Sequence, residues 1–465
     1  MVDRRKELFL NTIVIGIGSL FTKALSFLLV PLLTLWLTAS EYGDYDLLFS
    51  YISLFVPVIT LQLEQAVLRY SLESKENAEL YFKNSFVYIV VSSFLFFVIT
   101  SIFFSFEYQL SFIYCTIGYS FQIFTTEYLR GINSLKHYSL ANIVSGLLTV
   151  ILSYVFVHVC HMGVDGILFA FGTAYFLIGL SVLVFVQPLK QFSIRDLDKK
   201  IFKQLLQYSF PLLPNAISWW ITSVSDRTLI NYFWGSDFNG IYAVSTKIPT
   251  LMTVFYSVFN LSWQQSAIVS SSDSYEAKKE FYSTTFNHLF SFLFAGAYVV
   301  VASTRFIYDL FIEESYSSGM NIVPVLILST VFLNLGQYAG GILLGNKDTK
   351  TNGLTTVNAA IINLVVNFLL IQKFGLMAAA ISTLLSYIFL FLFRILKLKT
   401  YFEMKKIIVK ITIFSIALLG VSLCSILIDY IIVRTSVLFI TIAYFIYTNQ
   451  FLYSKVIEKL KRRKS

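Results

Sequence analysis

Apolar runs long enough to cross a hydrocarbon core recur from one end of the chain to the other, separated by short polar segments. A helix rises about 1.5 Å per residue and the core is about 30 Å thick, so one crossing takes about 20 apolar residues. The pattern predicts helices over residues 10–37, 45–66, 84–105, 110–130, 140–158, 165–187, 208–233, 240–265, 284–304, 320–345, 353–371, 375–394, 407–428 and 436–453, fourteen in all. No polar segment longer than about 20 residues separates them, so no soluble domain is expected. The fold class is an all-α polytopic membrane protein.

Composition agrees with the pattern. The chain is 57% hydrophobic and 13% charged with a mean hydropathy of +0.72, too little polar surface for a soluble chain of 465 residues. The charged start MVDRRKE resembles a signal peptide. The apolar run that follows extends to Leu37, about twice the usual signal length, and reads as an uncleaved first span. The formal charge of +9 does not indicate nucleic acid, because the basic residues are scattered between apolar runs with no continuous stripe.

Those basic residues report topology instead. With an even number of spans both termini share a side, and both are basic: Arg4, Arg5 and Lys6 at the start, Lys455 to Lys464 at the end. The positive-inside rule places both in the cytoplasm. Alternate segments then hold 29 Lys and Arg on the cytoplasmic side, Arg394 among them, against Arg305, Lys373 and Arg434 outside. Lys23, Arg227 and Lys247 fall within predicted helices.

Internal repetition divides the chain further. EYGDYDLLFS (Glu41 to Ser50) enters the second stretch and DFNGIYAVS (Asp237 to Ser245) the eighth, with Gly43 and Gly240 each followed two residues later by Tyr. Trp36 and Trp234 precede those glycines at similar distances, at the outer interface where Trp anchors helices. KHYSLANIVSGLLTVILSYVF followed by GVDGILFA parallels KTNGLTTVNAAIINLVVNFLL followed by GLMAAAIS. The expected organisation is two pseudo-symmetric six-helix lobes, 1–190 and 191–400, with two further helices and a basic tail over 401–465. Pro31 and Pro57 lie in the first two stretches, Pro211, Pro214 and Pro249 in the seventh and eighth. Prolines remove backbone hydrogen bonds, and interrupted helices at matching places in two halves point to a binding site and its hinges.

The seventh stretch, YSFPLLPNAISWWITSVSDRTLINYF (Tyr208 to Phe233), carries Asp226 and Arg227 inside its apolar run. A charge at the centre of a span costs about 2.5–3.5 kcal/mol on insertion scales, so it faces a bundle interior or a wet cavity. Lys23 is placed near mid-membrane, Arg227 and Lys247 about 10 Å from the outer face. With Asp226 these four sum to +2, which suits an anionic ligand such as a pyrophosphate. On this reading Asp226 is free to neutralise Arg227, Lys247 or Lys23, since neighbours on a helix point about 100° apart. Trp219 and Trp220, beside the charged turn, are candidates to stack on a sugar ring or to pack. Glu64 with Arg69, and Glu127 with Arg130, are expected as interfacial ion pairs, inner-gate contacts or groups that couple transport to a proton or sodium. Gly336, Gly340, Gly341 and Gly345 predict close helix contact. His158, Cys160 and His161 lack a further ligand at metal spacing, and Cys115, Cys160 and Cys424 are too far apart for zinc and odd in number for disulfides. With no Walker, Gly-x-Ser-x-Gly or His-Glu-x-x-His motif, no metal, cofactor or catalytic residue is expected, and the chain reads as no enzyme.

Three stretches carry a family resemblance: PLLTLWLTASEYGDYDLLFSYISLFVPVITLQLEQAVLRY (Pro31 to Tyr70), SVSDRTLINYF with GIYAVSTKIP (Ser223 to Pro249), and NKDTKTNGLTTVNAAIINLVVNFLLIQKFGLMAAAISTLLSY (Asn346 to Tyr387). Their order and spacing resemble bacterial polysaccharide flippases of the Wzx type, in the multidrug/oligosaccharidyl-lipid/polysaccharide (MOP) exporter superfamily. The resemblance implies alternating access between two lobes, a basic central cavity onto which Lys23, Arg227 and Lys247 map, and an undecaprenyl-pyrophosphate-linked oligosaccharide as substrate. It implies a bacterial cytoplasmic membrane, with membrane lipids, a polysaccharide polymerase and other assembly proteins as partners. A peptidoglycan-precursor or multidrug exporter would share the fold. A polymerase would be expected to carry a sizeable outer loop, and here the longest, Arg305 to Gly319, is short.

Overall fold

The computed structural model describes residues 25, 27–190, 197–270, 273–346, 348–428 and 430–450. Among these residues all regular structure is helical: α1 (Phe27–Trp36), α2 (Ala39–Thr60), α3 (Leu63–Glu73), α4 (Ala78–Phe103), α5 (Gln109–Gly131), α6 (Leu135–Ser153), α7 (Gly163–Val186), α8 (Lys199–Ser209), α9 (Leu213–Trp234), α10 (Ser236–Ser270), α11 (Tyr275–Phe311), α12 (Val323–Gly345), α13 (Thr349–Phe374), α14 (Leu376–Lys397), α15 (Met404–Ser422) and α16 (Ile431–Thr448). Each of the fourteen predicted stretches overlaps one of these helices. Nine helices among the described residues are long and apolar enough to span a membrane, or ten if the bent pair α2–α3 counts as one. Length and apolarity therefore do not by themselves establish fourteen spans: α5, α9 and α10 are long but more polar, and α1 is short.

Local sequence explains several helix ends. Thr38 opens α2 with a capping box: its hydroxyl accepts from the Glu41 N–H at 3.3 Å while its own N–H donates to Glu41 Oε2 at 2.9 Å. Asp348 caps α13, accepting from the Thr351 N–H at 3.0 Å. The Thr351 hydroxyl and N–H hold the Asp348 carboxyl below its ordinary range. Between α2 and α3 the path bends by 55°, because Leu61 and Gln62 both take left-handed backbone angles, φ 47° and 57°. Side chains with a Cβ avoid that region at a cost of about 1–3 kcal/mol each.

The chain divides into two compact units, Met1–Thr228 and Leu229–Ser465. In the first, α5 packs on α2, α3 and α7, and α7 packs on α6. In the second, α12 packs on α10 and α14, and α14 packs on α13. The pairs α5–α7 and α6–α7 thus recur as α12–α14 and α13–α14, so the repetition read in the sequence reappears as packing. The two last helices, α15 and α16, both lie on α11, where the Tyr298 hydroxyl donates to Phe414 O at 2.9 Å and Phe292 meets Phe445 at 5.6 Å between ring centres.

Small residues set the closest approaches. Gly341 on α12 faces Trp263 of α10, where an added Cβ would lie 2.7 Å from the indole Nε1. That indole donates to Tyr338 O at 3.0 Å and stacks on the Tyr338 ring at 4.2 Å. Gly341→Val is therefore expected to destabilise the protein by about 1–3 kcal/mol through overpacking, read as a lower melting temperature in detergent. Gly353→Ala, inside α13 at a site with no atom within 4 Å, serves as the control and is expected to leave it unchanged or slightly raised, since Ala favours a helix over Gly by up to about 1 kcal/mol.

Arg394 differs from its expected place. Counted above among cytoplasmic loop charges, it is buried inside α14, 5% exposed. Its guanidinium donates to Thr355 Oγ1 (2.9 Å), Gly336 O (3.0 Å), Asn352 O (3.0 Å) and Thr356 Oγ1 (2.9 Å), tying α14 to α12 and α13. Arg434, expected in an outer loop, is likewise buried in α16, with Nε donating to Ile428 O at 2.8 Å. Both are structural cations inside helices, so each side's loop count falls by one and the asymmetry between the sides remains.

Candidate functional site

The charged turn of α9 faces α2. Arg227 Nε donates to Asp46 Oδ2 at 2.5 Å, with the Asp46 side chain 8% and the Arg227 side chain 19% exposed. One turn further along α2, the Ser50 carbonyl accepts from Trp220 Nε1 at 2.7 Å. Tyr51 lies against the same indole, ring centres 5.7 Å apart, and its hydroxyl is 3.4 Å from Thr228 Oγ1. Asp46 and Ser50 are four residues apart, hence on one face of α2. The helix gives its other face to aromatic packing: Tyr45 and Phe49 meet Phe171 of α7 at 6.0 and 5.0 Å, and Phe49 meets Tyr119 of α5 at 6.4 Å. Tyr119 stacks in turn on Tyr175 at 4.9 Å. A single helix thus links the ion pair to an aromatic wall.

The partner of Arg227 was not among the residues singled out in the sequence. Asp46 neutralises one of the three cations behind the expected net charge of +2, so that sum overstates the site's positive charge. Asp226 is buried on α9, and Lys247 is half-buried on α10 in the second unit. Lys23 and the Trp219 side chain lie outside the described residues. Trp220, expected either to stack on a sugar ring or to pack, is engaged by its N–H and ring with α2.

The two expected Glu–Arg pairs separate. Glu127 and Arg130 form the expected ion pair at 2.7 Å. Arg69 does not pair with Glu64: it bonds Glu73 at 3.1 Å, one turn on, and lies over the Tyr208 ring at 4.6 Å. Glu64 points the other way from that exposed pair and is buried, 1% exposed, with Oε2 unpartnered. The α2–α3 bend falls at Leu61 and Gln62, one turn after Pro57. Pro211 sits in the 3-10 turn Phe210–Leu212, before α9 rather than inside it, and Pro214 in the first turn of α9, where a missing N–H costs nothing. Pro31 and Pro249 lie inside α1 and α10. At the other end of the first unit, His158 stacks on Trp36 at 5.3 Å.

Residues 8–263, more than half of the chain, match the family of polysaccharide biosynthesis proteins. The chain belongs to that family. An uncharacterized membrane protein of Methanocaldococcus jannaschii is 23% identical over 302 residues, 62% of this chain and 71% of that one. Among solved structures, the lipid II flippase MurJ in an inward closed conformation matches with a TM-score of 0.72 at 15% identity, covering 96% of this chain and 100% of MurJ. An inward-facing multidrug resistance MATE family transporter of the MOP superfamily matches at 0.61 and 14% identity, over 83% of this chain and 95% of the other. A MOP superfamily transporter from Pyrococcus furiosus matches at 0.56 and 14% identity, over 84% and 96%. This polysaccharide biosynthesis family member is a multi-pass membrane protein with the MOP fold.

Proposed function

We propose that the protein moves an undecaprenyl-pyrophosphate-linked oligosaccharide repeat unit from the cytoplasmic to the outer leaflet, by alternating access between its two six-helix lobes. The match of residues 8–263 to the polysaccharide biosynthesis family carries this reading. The fold shared with the lipid II flippase MurJ supports transport of a lipid-borne glycan over a multidrug role, the MATE likeness being weaker and less complete. The protein is then no enzyme. The barrier to unaided flipping is desolvation of a charged, hydroxyl-rich headgroup, and a wet basic environment would remove much of it; Lys247 and Lys23 are proposed to meet the headgroup's charge and Trp219 to stack on a sugar ring. Asp46, Arg227 and Trp220 are proposed to hold α9 to α2, with Asp226 beside them, and Pro31, Pro57, Pro211, Pro214 and Pro249 to be the hinge positions. The protein acts in the bacterial cytoplasmic membrane with both termini inside, alongside a polymerase and other assembly proteins.

The test is accessibility of the lipid-linked repeat unit to lectin or periodate in intact spheroplasts, with and without the gene. Without it, the lipid-linked glycan is expected to be made but inaccessible. Unchanged accessibility with loss of long-chain polymer alone assigns the protein a step after flipping. Loss of lipid II exposure instead assigns it the peptidoglycan precursor.

A further inference from the structure

In the first unit α5 packs on both α4 and α7, and between those two flanks runs a groove of about 470 Å³. Phe86 to Phe97 of α4 form one side and Phe176 to Leu183 of α7 the other, with Phe121 of α5 at the base. The base is fixed, because Gly179 of α7 lies against the Phe121 ring with no room for a Cβ. The rim is open: Phe94 is 65% and Leu180 49% exposed. Ser93 is the one polar residue in the lining, so the groove offers almost nothing for a polar ligand to bond. From Phe86 to Phe97 α4 rises about 16 Å, half of a hydrocarbon core about 30 Å thick. The groove therefore has the length and chemistry of one hydrocarbon chain in one leaflet.

One end of the groove lies beside α8. Phe86 and Leu183 pack against the same core cluster that receives Ile201, Phe202 and Leu206 of α8. Tyr88, two residues after Phe86, meets Phe202 at 5.6 Å between ring centres, and the Asp198 N–H donates to Asn84 Oδ1 at 2.9 Å. At about 100° per residue, Lys199, Lys200 and Lys203 share one face of α8, opposite Leu205, which is fully buried. All three lysines are exposed, as is Lys190 after the end of α7. No ion pair among the described residues takes up any of the four. Asp198, next to them in sequence, turns its carboxylate to the helix start and accepts from the Lys200 N–H at 2.7 Å. A short helix with its apolar face in the protein and its lysines outward attracts anionic lipid headgroups.

We infer that the first unit holds an anionic phospholipid, with one acyl chain in the α4–α5–α7 groove and the headgroup phosphate at Lys199, Lys200 and Lys203. The groove selects a chain of one leaflet's depth, and a polyprenyl tail is far longer than that. The unneutralised lysines at its end select a negative headgroup over a zwitterionic one. That the lipid belongs to the cytoplasmic leaflet rests on the topology proposed above; the binding itself does not.

The experiment measures binding without transport. Full-length protein is reconstituted in phosphatidylcholine vesicles that contain a trace of phosphatidylglycerol or, in a parallel sample, of phosphatidylcholine, each carrying a photoreactive diazirine near the end of one chain. After illumination the adducts are mapped by mass spectrometry. The phosphatidylglycerol probe is expected to label Phe94, Phe97 and Leu180 in preference to Ile413 and Ile416 of α15, which are just as exposed. It should label the groove at least ~10-fold more than the phosphatidylcholine probe does, since each lysine near a negative lipid surface contributes about fivefold. The triple variant Lys199→Gln, Lys200→Gln, Lys203→Gln should bring the two probes level. Groove labelling no denser than at Ile413 and Ile416, equal labelling by the two probes on the wild type, or a triple variant that labels like wild type overturns the proposal. Undecaprenyl phosphate that displaces the phosphatidylglycerol probe more readily than unlabelled phosphatidylglycerol does also overturns it, and assigns the groove to a polyprenyl lipid. The comparison of the two probes on the wild type stands even if the triple variant does not fold.

Discussion

On the proposed flippase function, Asp46→Arg combined with Arg227→Asp is expected to recover the outer-leaflet exposure of lipid-linked glycan that each single reversal removes. Each single change sets two like charges against each other where the native pair stands at 2.5 Å with both side chains mostly shielded. Breaking such a pair from one side costs about 3–5 kcal/mol, most of it from the partner left buried. Exposure should fall at least ~10-fold in either single variant, and the swap should restore a good part of it, since groups in direct contact couple by about 0.5–3 kcal/mol. The outcome also separates two roles of Arg227. If the guanidinium acts by holding α9 to α2, the swap works. If it acts by binding the substrate's pyrophosphate, an aspartate at 227 repels the ligand and the double variant stays as inactive as the singles while still folded.

Arg394→Ala is expected to lower stability by about 3 kcal/mol, the sum of carbonyl and hydroxyl acceptors left without a donor less the relief of an arginine no longer buried. The residue bridges three helices through four bonds, and an added Cβ at Gly340 would approach its Nη1 to 2.7 Å, so the space is cut to its shape. Arg394→Lys should fall between, because an ammonium lacks the planar fork that reaches α12 and α13 together. Thermal melting in detergent measures both. A wild-type melting temperature for Arg394→Ala would show that the four bonds add nothing net.

The helical layout was legible because apolar length and loop polarity are local properties. Residues 240–265 and 284–304 belong to helices that run on to Ser236–Ser270 and Tyr275–Phe311, since polar residues continue a helix beyond the apolar run. The same effect hid Asp46. An apolar boundary at 45 made it an entry residue, whereas the Thr38–Glu41 capping box starts α2 at Ala39 and carries Asp46 two turns inside; the pattern Thr-x-x-Glu was the available signal. The charged turn at Arg227 was visible as a cost in lipid, but its partner, 181 positions away, was not. Arg394 and Arg434 were misplaced for a related reason: a basic residue near the end of an apolar run reads as loop, and only tertiary packing shows it turned inward.

Placing α15 and α16 on α11 fixes an order of events during synthesis. The Tyr298 hydroxyl finds its acceptor 116 residues downstream. At about 5–20 residues per second, that flank of α11 waits roughly 6–23 s for its covering, so newly inserted protein is expected to pass through a stage in which lipid occupies the place later taken by α15 and α16.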